Sequence, residues 1–224
     1  IMYDAISLYK SNKFADFTLI LGVSGAIFIP FLKKSHNKLI INPDGLEWKR
    51  SKWNYFIHNF LKFSEKIAVK FSDIIVSDNI EIKNYIQEKY LLNSTFIPYG
   101  YNHTQRVDLS KNITNNYSFL KKKYAFKVCR IEPENNISMI LDVFSQINQI
   151  LVIVGNWKNS NYAIRIKKKY QKFKNIYLLD PIFDQYKLDL IRSNCHLYIH
   201  GHSAGGTNPS LVEAMGLGLA IIAF

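Results

Sequence analysis

The sequence predicts an α/β protein built from two doubly wound halves, each a parallel sheet with helical connections. Three observations lead there. Short apolar runs recur along the chain, and each ends in turn residues before a segment of helical periodicity. These runs are apolar throughout rather than alternating, as strands are when helices cover both faces of a parallel sheet. The alternation breaks once, over a polar, Asn- and Lys-rich stretch, residues 101 to 123, that separates the halves.

Taken in order, Phe17 to Leu21 reads as a buried strand ending in Gly22-Val23-Ser24-Gly25, and Lys38 to Ile41 as a short strand ending in Asn42-Pro43-Asp44-Gly45. Lys52 to Phe71 has helical periodicity, with Trp53, Phe56, Ile57, Phe60, Phe63 and Ile67 on an apolar face. Asp73 to Ser77 is a strand, and Asn79 to Lys89 a helix capped by Ser77 or Asp78. Ser94 to Pro98 is the last strand before the polar stretch.

Beyond it, Tyr124 to Cys129, Ile150 to Val154, Asn175 to Leu179, His196 to Ile199 and Ala220 to Phe224 are predicted strands. The helices between them span Ser138 to Ile147, Ser160 to Phe173, Gln185 to Ser193 and Pro209 to Met215. The expected organisation is an N-terminal domain over 1–105, a linker over 106–123 and a C-terminal domain over 124–224.

Composition excludes several classes. The chain has 224 residues, 48% of them hydrophobic and 14% aromatic, enough to bury a core and too much for a disordered chain. No apolar run is long enough for a spanning helix. Two cysteines, Cys129 and Cys195, do not make a disulfide framework; they read as core residues in a reducing compartment. The net charge of +12 is carried mostly by scattered lysines. The clusters Lys121 to Lys123 and Lys167 to Lys169 read as solvated faces. Attraction to a membrane surface, nucleic acid or phosphorylated ligand is the lesser reading of the charge, and nucleic acid is not an expected partner. No charged segment followed by an apolar one opens the chain, so no signal peptide is expected. Leu219 to Phe224 closes the sequence on an apolar strand, an edge that natural domains cover, so a fragment is expected, with both halves incomplete.

In open parallel sheets ligands bind beyond the carboxyl ends of the strands, and there the sequence is distinctive. Besides the two turns above, the strand ends are Pro98-Tyr99-Gly100, Cys129-Arg130 leading to Glu134-Asn135-Asn136, Gly155-Asn156-Trp157, and the run from His200-Gly201-His202 to Met215. In that last run a Gly-rich turn enters a helix, so amides near Gly205 to Asn208 can converge on an anion at the positive helix end. It carries no Gly-Lys-Ser/Thr and no dinucleotide fingerprint. Glu213, about one turn into the helix, can reach back toward a ligand. Trp48 and Trp157 are candidates to stack on a sugar or base, and Trp53 is assigned to packing. His200 and His202, near Cys195 and His196, are a weak metal constellation without a second ligand cluster, and no metal is expected.

The run from Ser203 to Gly218 resembles the nucleotide-sugar motif of retaining GT-B glycosyltransferases, glycosyltransferase family 4. Arg130 with Glu134-Asn135-Asn136 resembles that family's first C-domain loop, and Pro98-Tyr99-Gly100-Tyr101 the end of its N-domain. Asp44 to Arg50, Lys52-Trp53, Val154 to Trp157 and His200-Gly201-His202 are similar to a bacterial rhamnosyltransferase-like subfamily that assembles surface polysaccharide.

The resemblance implies a GT-B fold, two Rossmann-like domains facing across a cleft. It implies a cytoplasmic hexosyltransferase, at most peripheral at the inner face of an anionic plasma membrane. The enzyme would transfer rhamnose or a related sugar, with retention, from a nucleotide-diphosphate sugar to a glycan or lipid-linked glycan. The nucleotide sugar is a co-substrate and no cofactor is expected. Asp44, Arg130 and Glu213 are the implied catalytic residues. Arg130 would pair with the diphosphate and Glu213 with the ribose hydroxyls. Asn135, Gly155, Asn156, Ser203, Gly205, Gly206, Thr207 and Asn208 would complete the donor site. Gly22, Asp44, Gly45, Glu47 and Trp48 would face the transferred sugar or the acceptor. The chain departs from the family at three positions: Gly205 stands where a first Glu is usual, Asn135 where a Lys is usual, and Asp44 where His often precedes Gly. A non-catalytic sugar-nucleotide-binding paralogue is therefore the alternative reading.

Overall fold

The computed structural model describes residues 2–32, 36–49, 53–109, 117–203 and 206–224. Its contacts divide the chain into two compact units, one of Ile1–Tyr99 with Ala204–Thr207, the other of Gly100–Ser203 with Asn208–Phe224.

The first unit contains α1 (Met2–Ser11), β1 (Phe17–Leu21), α2 (Ile29–Leu32), β2 (Lys38–Asn42), α3 (Tyr55–Phe71), β3 (Ile74–Ser77), α4 (Ile80–Tyr90) and β4 (Thr95–Phe96). The strands form a parallel sheet in the order β1-β2-β3-β4, with Leu19 beside Ile40 and Ile41 beside Ile75. Asn54 caps α3 by accepting the Ile57 amide (3.0 Å), and Asn79 caps α4 by accepting the Ile82 amide (2.8 Å). The α4 cap is thus Asn79, one residue beyond Asp78 and two beyond Ser77, the caps expected, and the start expected for α3, Lys52, lies outside the described residues. Leu61, Ala68 and Val69 of α3 close on Leu39, Ile41 and Ile75. Burial of each Leu- or Val-sized side chain is worth about 1.5–3 kcal/mol.

One face of this sheet departs from expectation. Phe17, Leu19 and Leu21 of β1 are 67%, 58% and 73% exposed. Helices cover only the opposite face among the described residues, where Leu39, Ile41 and Ile75 lie.

The second unit contains β5 (Tyr124–Val128), α5 (Ile137–Phe144), β6 (Ile150–Val154), α6 (Asn161–Tyr170), β7 (Ile176–Leu179), α7 (Gln185–Ser193), β8 (Leu197–His200), α8 (Pro209–Gly216) and β9 (Ile221–Ala223). The sheet is parallel in the order β7-β6-β5-β8-β9. Both faces are covered: Ala125, Leu151 and Ile153 join a core with α5 and α6, and Tyr124, Phe126, Val152 and Val154 join another with α7 and Ala214 of α8. Both units are therefore Rossmann-like α/β folds with parallel sheets, as in GT-B proteins.

The division falls after Tyr99, and the described residues of 106–123 pack in the second unit. Val107, Phe119 and Leu120 are buried in its core beside Tyr124, and residues 110–116 lie outside the description. Three apolar anchors bind this polar stretch to the second sheet.

Candidate functional site

Three loops leave the carboxyl ends of neighbouring strands in the second unit. Residues 130–136 follow β5, Gly155–Trp157 follows β6, and Gly201–Ser203 follows β8. They approach so closely that glycine is required at two points. A Cβ on Gly155 would stand 2.6 Å from the Cys129 carbonyl oxygen, and one on Gly201 would stand 2.6 Å from that of Asn135. Side chains then fasten the loops together. Asn135 donates Nδ2 to the Arg130 carbonyl (2.8 Å) and sets Oδ1 3.2 Å from His202 Nδ1, while Asn136 donates to the Gly201 carbonyl (2.8 Å). Ser203 donates its amide and Oγ to the Glu134 carbonyl, at 3.0 and 3.1 Å. Asn156 accepts the Lys158 amide (3.1 Å).

The expected donor residues of these loops thus share one edge, where Asn135, Asn156 and Ser203 shape the backbone. Arg130 differs from them. Its side chain is 61% exposed, with Nη1 3.8 Å from Glu132 Oε1, an accessible cation at the sheet's carboxyl edge.

Beneath Gly201 lies a buried lysine, Lys127, whose Nζ would stand 3.4 Å from a Cβ on that glycine. Lys127 is 2% exposed, and its Nζ has the Ile199 carbonyl at 3.5 Å; burial lowers its pKa. Burial, with Lys127 and His202 beside it, pushes the His200 imidazole down to about 4, so the ring is neutral near pH 7. Burial also pushes the Cys129 and Cys195 thiols up to about 11 and about 12, unreactive as expected of core cysteines. Trp157 is 1% exposed and donates Nε1 to the Leu179 carbonyl (2.8 Å), so it packs in the core and presents no ring for stacking.

Glu213 lies in α8, a helix opened by Pro209 and capped by Asn208, whose Oδ1 accepts the Ser210 amide (3.0 Å). Its carboxylate is 12% exposed and has a partner on each oxygen. His103 Nε2 is 2.8 Å from Oε1, and Arg192 Nη2 is 2.5 Å from Oε2. Neither partner is legible by spacing, because both come from distant segments.

In the first unit, the ends of β1 and β2 and the start of α3 enclose a cavity of about 490 Å³. Gly22, Val23, Ser24, Pro43, Asp44 and Glu47 line one side; Trp53, Ile57, Phe60 and Leu61 line the other. Asp44 adopts a left-handed conformation (φ 53°), its amide donating to Asn42 Oδ1 (3.0 Å). Trp53 donates Nε1 to Glu47 Oε1 (3.3 Å), so the tryptophan assigned to packing is also a cavity wall. Trp48 turns away and donates to the buried Glu65 (2.8 Å), with Lys62 Nζ 4.4 Å from the centre of its ring. Of the expected sugar-facing residues, Gly22, Asp44 and Glu47 line this cavity.

Gly206 and Thr207 group with these strand ends. The Thr207 amide donates to Asp78 Oδ2 (3.0 Å), and a Cβ on Gly206 would stand 3.3 Å from the Gly45 nitrogen. Asp78, 3% exposed, was not among the sequence candidates. Its signal was available, since it follows β3 as Asp44 follows β2. Gly205 lies outside the described residues. Among the described residues, no group of three His, Cys, Asp or Glu gathers as a metal site, and no helix is long and apolar enough to cross a membrane.

A family model described as glycosyl transferases group 1 matches residues 110–224, more than half of the chain. The chain belongs to that family. A second model, described as a domain of unknown function (DUF1972), matches residues 3–102. No curated protein matches by sequence. Among solved structures, the chain is similar to sucrose-phosphate synthase from Thermosynechococcus elongatus, with a TM-score of 0.78 at 13% identity over 99% of this chain and 59% of that one. It is similar to Anabaena Alr3699/HepE in complex with UDP-glucose, with a TM-score of 0.74 at 12% identity over 98% and 62%. It also resembles the E. coli trehalose-6-phosphate structure bound with UDP-2-fluoro glucose, with a TM-score of 0.66 at 13% identity over 96% and 59%. At these identities the likeness concerns the fold. The chain spans about three fifths of these structures.

Proposed function

We propose that the chain is part of a retaining hexosyltransferase that moves a sugar from a nucleoside-diphosphate donor to a growing surface polysaccharide or lipid-linked glycan. The proposed sugar is rhamnose or a related hexose. The observation that carries this reading is the accessible Arg130 guanidinium beside three interlocked strand-end loops, in a unit matched by the glycosyl transferases group 1 model. Several structural neighbours hold UDP or a UDP sugar, which supports a nucleotide sugar as the donor.

In this reading Arg130 offsets the charge that grows on the diphosphate as the glycosidic bond breaks. The departing phosphate takes the acceptor's proton on the same face, which retains configuration without an enzymic nucleophile. Glu213 holds the ribose, and the loops carrying Asn135, Gly155, Asn156 and Ser203 surround the donor. The first-unit cavity, with Asp44 and Glu47, takes the acceptor sugar; its apolar wall suits the C–H face of a sugar ring. Exposed Tyr55 and Phe56 open α3 next to that cavity. With the +12 charge, they support peripheral attachment to an anionic cytoplasmic membrane face that carries the acceptor.

The test is nucleoside-diphosphate release by the full-length enzyme across a panel of donors. Arg130→Ala is expected to lower turnover by about 10²–10³, as loss of one charge-stabilising donor does elsewhere. Full turnover in that variant refutes the assignment. Donor binding without turnover in the unmodified enzyme identifies the non-catalytic binder instead.

A further inference from the structure

The outward face of α3 carries two rows of side chains that the core does not use. Phe56 and Phe63, one heptad apart, are 81% and 54% exposed, and exposed Tyr55 lies beside Phe56 with ring centres 6.0 Å apart. Lys62, Lys66 and Lys70 recur at every fourth residue along the adjoining line of the helix, and Lys66 and Lys70 are exposed. The one acidic residue of α3, Glu65, is buried and turned inward to Trp48, Tyr85 and Tyr90. Over 17 residues, about 25 Å of helix, rings and ammonium groups therefore face outward with no carboxylate among them. The neighbouring α2 packs against α3 and exposes Phe31. The opposite, bare face of the sheet is apolar too, through Phe17, Leu19 and Leu21, but β1 sets no lysine among them.

We infer that this face of α3 docks on an anionic lipid bilayer, with the helix lying in the plane of the headgroups. This gives the membrane attachment proposed above its surface, and it rests on that reading for its purpose. The two rows match the two layers of a bilayer surface: the rings enter the acyl boundary, and the lysines reach phosphates on flexible apolar stems. Two other occupants fit less well. A second copy of the chain would set lysine row against lysine row, since a two-fold contact pairs like surfaces. An apolar protein groove would take the rings and strip water from ammonium groups that it could not pair. Ile57, Phe60 and Leu61 of the same helix wall the cavity, so docking of α3 holds that cavity at the membrane surface.

The experiment is cosedimentation of the full chain with vesicles of phosphatidylcholine, alone or with about one-third phosphatidylglycerol, at low and raised salt. Binding is expected to the mixed vesicles only, and to weaken with salt. Lys66→Gln with Lys70→Gln should weaken it by about 25-fold, about fivefold for each lysine. Phe56→Ser with Phe63→Ser should weaken it by about tenfold or more. All four positions are exposed, so the thermal midpoint should hold in both double variants. Two controls separate this face from charge and apolarity in general: Arg165→Gln with Lys168→Gln on α6, and Leu19→Ser on the bare sheet face. Both should bind within about twofold of the unmodified chain. Controls that weaken binding as much as the α3 variants, or no binding to the mixed vesicles, overturn the inference. A dimer that Phe56→Ser dissolves, in a chain that ignores vesicles, assigns the face to a second copy instead. Nucleoside-diphosphate release that persists without vesicle binding spares the proposed transferase, and vesicle binding without release from any donor overturns the transferase alone.

Discussion

Glu65 is the residue whose loss should be felt most widely in the first unit. It is 1% exposed and its carboxylate accepts from Trp48 Nε1 (2.8 Å), Tyr85 OH (2.6 Å), Tyr90 OH (2.6 Å) and Lys89 Nζ (3.2 Å). Burial, with the Glu65 carboxylate next, raises the pKa of both tyrosines, which keeps their hydroxyls protonated as donors. Glu65→Gln keeps the size and one oxygen but removes the charge that strengthens every bond. A hydrogen bond to a charged group contributes about 1.5–3 kcal/mol and a neutral one about 1. Weakening the two tyrosine bonds by about 1 kcal/mol each, and losing the Trp48 bond because the amide nitrogen donates where Oε2 accepted, predicts a loss of about 4 kcal/mol. The cation–carboxylate contact of half-exposed Lys89 adds little. Urea unfolding followed by tryptophan fluorescence reads this directly, and Tyr85→Phe with Tyr90→Phe in the Gln background should cost about 2 kcal/mol further, the worth of the two neutral bonds that remain. A Glu65→Gln destabilisation below about 0.5 kcal/mol would show that the carboxylate does not organise this cluster.

Two further perturbations probe the second unit. His200 binds a proton near 6.5 when unfolded but only near about 4 when folded, so the unfolded state holds more protons between these values. Its contribution is complete above pH 6.5 and is lost as pH falls toward 4. The upper limit is about 3 kcal/mol, reduced by screening at this half-buried ring to about 1–2. Acid denaturation of His200→Gln should lack that limb, and an unchanged profile would exclude His200 as its source. Gly155→Ala drives a methyl group into the Cys129 carbonyl and should cost about 1–3 kcal/mol in thermal unfolding; a neutral result would mean that the strand ends can separate.

The second sheet was legible because its strands are apolar, Lys127 and His200 excepted, and sharply bounded. Ile150–Val154 and Gln185–Ser193 stand as the patterns place them. Helix α1 was not read, since only Leu8 of its residues is buried and its apolar positions therefore carry little periodic signal. Nor could an unbroken apolar run such as Phe17 to Leu21 tell whether one face or both would be covered. The strand-end loops were found from their glycines and asparagines, yet the work those asparagines do, fastening neighbouring loops, appears only in three dimensions. Arg192 and Asp189 stand three residues apart on a helix, a spacing that does not tell a buried pair from a surface one. Their burial, and their link to Glu213 and His103, depends on segments far apart in the sequence.

The strand order of the second sheet also has a consequence in time. β5 is its central strand, with β6 on one side and β8 on the other, so Ala125 pairs with both Leu151 and Leu197. The β5-β6-β7 half needs only short crossovers and can nucleate as soon as those residues leave the ribosome. The β8-β9 half must wait for α7 and then return to a strand made long before. Such late, distant pairing slows folding and leaves the free edge of β5 exposed meanwhile. The nascent chain is therefore most vulnerable to misassociation between completion of β7 and arrival of β8, the interval in which a chaperone would act.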